Sequence, residues 1–460
     1  VAMTLPWLGE FSPLAADLVL LIGAISLLVA DLVMPHGEKR VLSWGAIGVL
    51  VATLLSTFVF DLSGEAWAGA YVGDHLALFV KRVFYIGAIL AMLGSQAHVE
   101  EDYSRRQGEY YLLMLFSVLR MRLLVGTRDV ALRVVCCELM SIPLYVLAAF
   151  KREDPVGTEG ALKLYLVGAV SSVTILFGLS ILFGMSGTTS LAEMSAYATA
   201  HPSPMIGIGA AIALAGMGYK LGVFPFHMWV PDTYQASSTP FVAFLSTAPK
   251  AGGLIALVQI LLAGEGALWR SSFVLLVLLA TATLVVGNFL AINQSNVKRL
   301  LGYSGVAHMG FLLMALAVGN ARGLSMLLFY VLGYLFSTIC AFLVVHAVAR
   351  SGGDDSVSSF DGLGRRNGFL GMAMLLFLLS LAGIPFVVGF WAKLNVFIVA
   401  WAAGLNWLVV LGAVLSVLGL FYYLRIVRAM FMNEPKSEDT LVVDWGTNVG
   451  IGLCLAFVVG

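Results

Sequence analysis

Gly222-Val223-Phe224-Pro225-Phe226-His227-Met228-Trp229 closes one long apolar run of this sequence, and Gly383-Ile384-Pro385-Phe386-Val387-Val388-Gly389-Phe390-Trp391 interrupts another. In both, a glycine, a proline and a phenylalanine come in that order and a tryptophan follows. Proline lacks an amide hydrogen and its ring crowds the preceding turn, so each run is expected to be a broken helix. Irregular backbone at membrane depth persists only where it is buried in protein or lines a cavity. The two stretches therefore point to an all-helical membrane protein with an interior to line.

Composition agrees. The chain has 460 residues, 60% of them hydrophobic and 11% charged, with a mean hydropathy of +0.95. A soluble globule carries roughly 25% charged residues. The apolar residues fall in runs of about 20, the length that crosses ~30 Å of hydrocarbon. Net charge is zero. No long basic run or glycine-rich phosphate loop appears, which argues against nucleic acid and nucleotide partners. Cys136, Cys137, Cys340 and Cys454 all lie in apolar segments without metal-ligand spacing. They read as small packing residues. The first run has Asp17 near its start and no basic region before it, so it reads as a spanning helix and not a cleaved signal.

Fourteen spans are expected, at about 11–34, 42–61, 76–96, 110–126, 129–149, 160–184, 204–224, 241–262, 270–291, 300–318, 322–349, 368–402, 406–432 and 443–460. Residues 185–203 form a longer connection, in which Ser190 to Ala200 suits a short interfacial helix. The odd-numbered connections hold Lys39, Arg40, Arg105, Arg106, Lys151, Arg152, Lys298, Arg299, Arg350, Arg365, Arg366, Arg425, Arg428 and Lys436. The even-numbered ones hold only Arg128, Arg270 and Arg322. Basic residues mark the cytoplasmic side, so both termini are expected outside. Lys81, Arg82, Arg120, Arg122 and Arg133, near outer helix ends, reduce this bias without reversing it.

The two broken runs, spans seven and twelve, lie an odd number of spans apart. Two five-helix units carrying them would cross the membrane in opposite senses. This predicts inverted repeats over 110–262 and 263–432, after a three-helix segment at 1–109 and before a last helix at 433–460. Paired broken helices in inverted repeats mark transport sites.

The ionisable residues inside spans point the same way. Glu138 lies in span five, Lys220 in span seven, Lys250 in mid-span eight and Lys393 in the second half of span twelve. A charge at mid-membrane costs at least ~2.5–3.5 kcal/mol, and usually marks an ion or proton path. Glu138 and Lys220 also suit a static pair locking two helices. Lys163, near the start of span six, is close enough to the interface to snorkel. Lys250 and Lys393 have no acidic neighbour in sequence, and an amine without a counter-charge is suited to gaining and losing a proton. His227, His308 and His346 add groups that titrate near neutrality, and Tyr219, Ser246 and Thr247 can support water chains.

These residues resemble a known family. Glu138-Leu-Met-Ser-Ile-Pro-Leu-Tyr-Val-Leu-Ala-Ala-Phe150 is similar to the fifth-helix motif of the antiporter-like membrane subunits of respiratory complex I, the proton-pumping NADH:quinone oxidoreductase. Tyr219-Lys220 through Pro231-Asp232-Thr-Tyr-Gln-Ala, Ser246-Thr-Ala-Pro-Lys250, Val297-Lys298-Arg299-Leu-Leu-Gly-Tyr-Ser304 and Ala307-His308-Met309-Gly310 continue the likeness. Lysine at 393 argues against the M type, which usually has glutamate there. The lack of a long C-terminal lateral helix argues against the L type.

The resemblance implies a membrane-arm proton-translocating subunit with no cofactor of its own. NADH, FMN, iron–sulfur clusters and quinone would belong to partner subunits. The neighbours would be an M-type subunit and the small K and J subunits, in a bacterial plasma membrane. Glu138 and Lys220 would be the charge-coupled pair, with Lys163 acting near Lys220. Lys250 would be the central carrier and Lys393 the exit-side carrier, with His227 and His308 on the connecting path. A multi-subunit cation/proton antiporter shares the lysine motifs and is the alternative. One region departs from the family: Arg120, Arg122 and Arg133 replace glycine and apolar residues, and Cys136-Cys137 replaces alanine-leucine. These arginines lie within a turn or two of the outer face, to which they can snorkel, and their positive field can also favour the charged form of Glu138.

Overall fold

A computed structural model describes residues 6–35, 38–151, 153–264, 266–435, 441 and 443–460. Arg152 and Lys436, two of the residues used for orientation, lie outside the described residues. In chain order the helices are α1 (Ala15–Val33), α2 (Val41–Val59), α3 (His75–Asp102), α4 (Gln107–Gly126), α5 (Val130–Ala148), α6 (Pro155–Ser186) and α7 (Leu191–Ala200). They continue with α8 (Pro204–Leu221), α9 (Trp229–Ala236), α10 (Thr239–Leu245), α11 (Ala248–Leu261), α12 (Ala267–Ile292) and α13 (Val297–Ala317). The last are α14 (Ala321–Arg350), α15 (Leu363–Arg366), α16 (Gly368–Ala382), α17 (Val388–Ala402), α18 (Asn406–Met432) and α19 (Trp445–Val459). A small antiparallel hairpin, β1 (Gly64–Ala66) and β2 (Tyr71–Gly73), joins α2 to α3.

Each expected span holds helix, and the short helix expected within 185–203 is present as α7, capped by the Ser190 side chain. Among the described residues, 11 helical stretches are long and apolar enough to cross a membrane alone. The exceptions have local causes. α4 carries Glu109, Arg120 and Arg122 within 20 residues. The halves α16 and α17 and the last helix α19 have only 15 residues each.

The broken spans follow from glycine and proline. α16 ends at Gly383, which takes a left-handed φ of 84° and closes the helix by donating to Leu379 O at 2.9 Å. Ile384 N donates to the same carbonyl at 3.0 Å. Pro385 then cannot continue the helix, and α17 begins at Val388. Gly222, also left-handed at φ 69°, follows the last residue of α8, and residues 222–228 run irregularly before α9. A third break, between α10 and α11 at Ser246-Thr247, was not expected. Pro249 accounts for it, because it cannot donate back to the preceding turn. The Ser246 and Thr247 hydroxyls instead each donate to Ala243 O at 3.0 Å.

The chain divides into two compact units. The first holds Val1–Lys220 and Ala248–Ser272, the second Leu221–Thr247 and Phe273–Gly460. Burial sorts the helices. Thr239–Leu261 is buried throughout and Val297–Ala317 at all but Arg299 and Tyr303, whereas most of Phe11–Val33 and Pro155–Ser186 is not buried. The latter expose Ile22, Val170 and Val173, as a lipid-facing surface would.

One reading is corrected. Cys340 on α14 and Cys454 on α19 are disulfide-bonded, 114 residues apart, and are not simple packing residues. Spacing could not reveal this, because helix packing alone brings them together. Cys136 and Cys137 are buried free thiols.

Candidate functional site

In the first unit, α5 and α8 bring Glu138 and Lys220 together. Lys220 Nζ lies 3.7 Å from Glu138 Oε1, with the lysine side chain 3% exposed and the glutamate 35%. The amine donates to Ser141 Oγ at 2.9 Å and to Cys137 O at 3.2 Å. Ser172 on α6 donates to Glu138 Oε1. Residues 137, 138 and 141 are three and four apart on α5, so they share a face and form one cradle for the amine.

Lys250 lies in the first turn of α11 and is 1% exposed. Two residues on, a Cβ at Gly252 would meet Phe84 of α3 at 3.5 Å, Met121 of α4 at 3.6 Å and Met140 of α5 at 3.7 Å. The three helices therefore pack around this turn of the Lys250 helix at ordinary van der Waals distance. Lys163 is placed differently from the other amines. It is 44% exposed and pairs with Glu159, one turn earlier on α6, at 2.8 Å.

The arginines correct the sequence reading, for Arg122 and Arg133 do not reach the surface. Arg122 is fully buried, 3.3 Å from Asp17 Oδ2, and donates to Ala16 O at 2.8 Å. Lys81 stands 3.8 Å from the same carboxylate and donates to the Tyr71 hydroxyl, which donates in turn to Asp17 at 3.2 Å. Burial pushes the Tyr71 phenol well above its usual range, so it stays protonated. Arg133 donates to Ala256 O at 3.2 Å, to Gln259 Oε1 at 3.0 Å and to Thr127 O. It ties the Glu138 helix to the Lys250 helix. Arg120 is partly exposed. Snorkelling fails because an internal carboxylate and inward-facing carbonyls offer closer partners.

The second unit holds His308, Lys393 and His227. His308 Nδ1 lies 2.8 Å from Tyr330 OH and Nε2 3.4 Å from Tyr423 OH, which bonds Ser304 Oγ. The result is a chain of exchangeable protons from Tyr330 to Ser304. Lys393 Nζ donates to Leu381 O at 2.8 Å and Ala382 O at 2.9 Å. These are the last residues of α16, whose carbonyl end carries negative partial charge. The break thus makes the amine's site. Phe311 lies between the two groups, its ring 5.0 Å from Lys393 Nζ and 6.4 Å from the His308 ring. His227 is buried in the irregular segment after α8, its ring 6.2 Å from that of Tyr303. His346 on α14 is also buried. The tyrosines around His308 went unsingled in the sequence. Their signal, spacing along α14 and α18, has meaning only once those helices are packed.

Buried amines, broken helices and hydroxyl chains define a class of membrane ion translocator, and the comparisons agree. Residues 127–419 match the family described as NADH:quinone oxidoreductase/Mrp antiporter, transmembrane, and the chain belongs to it. Similar proteins include several named NADH-quinone oxidoreductase subunit N. The NADH-quinone oxidoreductase subunit N of Trichlorobacter lovleyi is 36% identical over 96% of this chain and 91% of its own length. That of Nitrosomonas europaea is 33% identical over 95% and 91%. A chain of respiratory complex I from Thermus thermophilus with bound aureothin superposes with a TM-score of 0.81 at 30% identity, covering 96% of each chain. A chain of the Mrp complex from a Dietzia species shares the fold, with a TM-score of 0.82 at 22% identity over 95% of this chain and 83% of that one.

Proposed function

We propose that this chain is a membrane-arm subunit of a proton-translocating NADH:quinone oxidoreductase, and that its buried amines carry the protons. Its kinship to subunit N supports the first part. The observation that carries the second is the burial of Lys220, Lys250 and Lys393, which are 7%, 1% and 7% exposed although each lies within a span. Glu138 and Lys220 form the switch, Lys250 is the central carrier and Lys393 the exit-side carrier. His227 and His308 relay, and Lys163, paired with Glu159, acts at the edge of the first unit. The chain performs no redox chemistry. NADH, FMN, iron–sulfur clusters and quinone belong to partner subunits, and M-, K- and J-type subunits are its neighbours in a bacterial plasma membrane, with both termini outside. Residues 110–262 and 263–432 act as the inverted repeats.

Magnitudes allow this. At ~150 mV a proton gains about 3.5 kcal/mol crossing the membrane. Making or breaking one partly buried ion pair shifts a proton equilibrium by about 1.4–4 kcal/mol. One Glu–Lys switch therefore suffices, where a solvated surface pair would not.

The test is to purify the tagged chain with its companions. NADH-driven quinone reduction coupled to proton uptake supports the proposal. Sodium-dependent proton exchange without redox activity would place the chain with the cation/proton antiporters instead.

A further inference from the structure

A cavity of about 480 Å³ lies in the second unit, where the end of α12, the connection between α14 and α15, and the end of α18 meet. Its polar lining includes Asn293, Ser358, Asp361, Arg425, Arg428 and Asn433. All three segments are odd-numbered connections or helix ends, which the lysine and arginine bias assigns to the cytoplasmic side.

The cavity wall is built. Arg425 Nη1 donates to Ile292 O at 2.8 Å and Nη2 to Gln294 O, holding the end of α12 against α18. Asp361 accepts from Asn433 Nδ2 at 2.7 Å. The neighbouring Asp355 is answered by Lys298 at 2.9 Å. Two guanidinium groups against the single carboxylate of Asp361 leave the lining net cationic. Arg428 is the exposed one of the two.

What lies beside that charge identifies the ligand. Phe421, Leu424 and Arg428 are spaced by three and four residues, so they share one face of α18. Phe421 is 62% exposed and Leu424 44%, within two turns of Arg428. On α12, the exposed Phe289 and Leu290 precede Asn293 by one turn. An apolar strip on the membrane side thus runs up to a cationic polar cavity at the helix ends. A free phosphate would use only the cavity, whereas a phospholipid uses both parts. Basic pockets between helices on the cytoplasmic side suit anionic headgroups.

We propose that this cavity binds the phosphate headgroup of an anionic phospholipid, with Arg428 as its cationic contact and an acyl chain along Phe421 and Leu424. The site is independent of the proton carriers.

The experiment uses the assembled complex in membranes carrying phosphatidylglycerol with a photoreactive acyl chain, or phosphatidylcholine with the same group. Labelling of peptides spanning 285–293 and 421–432 by phosphatidylglycerol well above phosphatidylcholine is expected. Arg428→Gln should lower it by about fivefold, the factor for one lost basic contact at an anionic surface. Arg428 is exposed, so the variant should assemble, and gel filtration checks this. Equal labelling by both lipids, unchanged in Arg428→Gln, would overturn the headgroup site. Saturable binding of inorganic phosphate that Arg428→Gln abolishes, with no preference for phosphatidylglycerol in the labelling, would assign the cavity to free phosphate and overturn the lipid. Absence of labelling by either lipid would show a neighbouring subunit on this face, and equally overturn it.

Discussion

Lys220 Nζ stands nearer to the Ser141 hydroxyl, at 2.9 Å, than to the Glu138 carboxylate, at 3.7 Å. The amine is shared between a neutral ligand and a counter-ion on the same helix. Such a pair opens more readily than a direct one, because Ser141 keeps the amine hydrogen-bonded when the carboxylate is lost. Ser141→Ala should therefore drive Lys220 onto Glu138 and slow proton pumping by about one order of magnitude, the worth of a hydrogen bond to a charged group. Initial pumping rates in proteoliposomes, set against NADH oxidation, would show it. Faster pumping would contradict it.

Gly383 shapes the Lys393 site. Its φ is 84°, and a Cβ there would lie 2.7 Å from Lys393 Cδ. Gly383→Ala should cost roughly 1–2 kcal/mol in backbone strain and displace the amine from Leu381 and Ala382. The complex is expected to assemble with pumping reduced. Retained pumping at the unsubstituted rate would show that Lys393 does not need this seat.

The buried cluster around Asp17 gives opposite outcomes for its two partners. Asp17→Asn leaves Arg122 and Lys81 as two buried cations without a carboxylate, a loss of ~3–5 kcal/mol. Arg122→Met leaves Asp17 with Lys81, a neutral combination, and should cost clearly less. Thermal denaturation of the purified complex should rank Asp17→Asn as the more damaging. The reverse order would mean that Arg122 is held by its backbone contact to Ala16.

Arg133 clamps α5 to α11 through Gln259 and Ala256. Arg133→Met should strand the Gln259 carbonyl oxygen and cost ~1–3 kcal/mol. Gln259 also donates to Val125 O, so Gln259→Leu has its own cost, and the two substitutions together should cost less than the sum of the singles in a double-mutant cycle. Simple additivity of the two would argue against the clamp.

The spans were legible because bilayer thickness writes itself into the length of apolar runs. The breaks after Leu221 and Ala382 were legible through Gly-Pro spacing. The break at Ser246-Thr247 was not, although Pro249 marks it, because the apolar run continues unbroken through it. The amines at 220, 250 and 393 stood out because charge is costly in such runs. What decides their surroundings was hidden. Asp17, Lys81 and Arg122 come from three helices, and Tyr330 and Tyr423 reach His308 from two others. Arg122 and Arg133 were misjudged because reach to the surface was weighed without knowing the internal partners.

The proton:electron ratio of complexes carrying Lys250→Ala or Glu138→Ala, assembled and still oxidising NADH, tests the central claim most directly. Both substitutions are expected to lower that ratio while leaving quinone reduction driven by the partner subunits. An unchanged ratio in both would show that protons cross elsewhere, and would leave these buried charges as helix fasteners only.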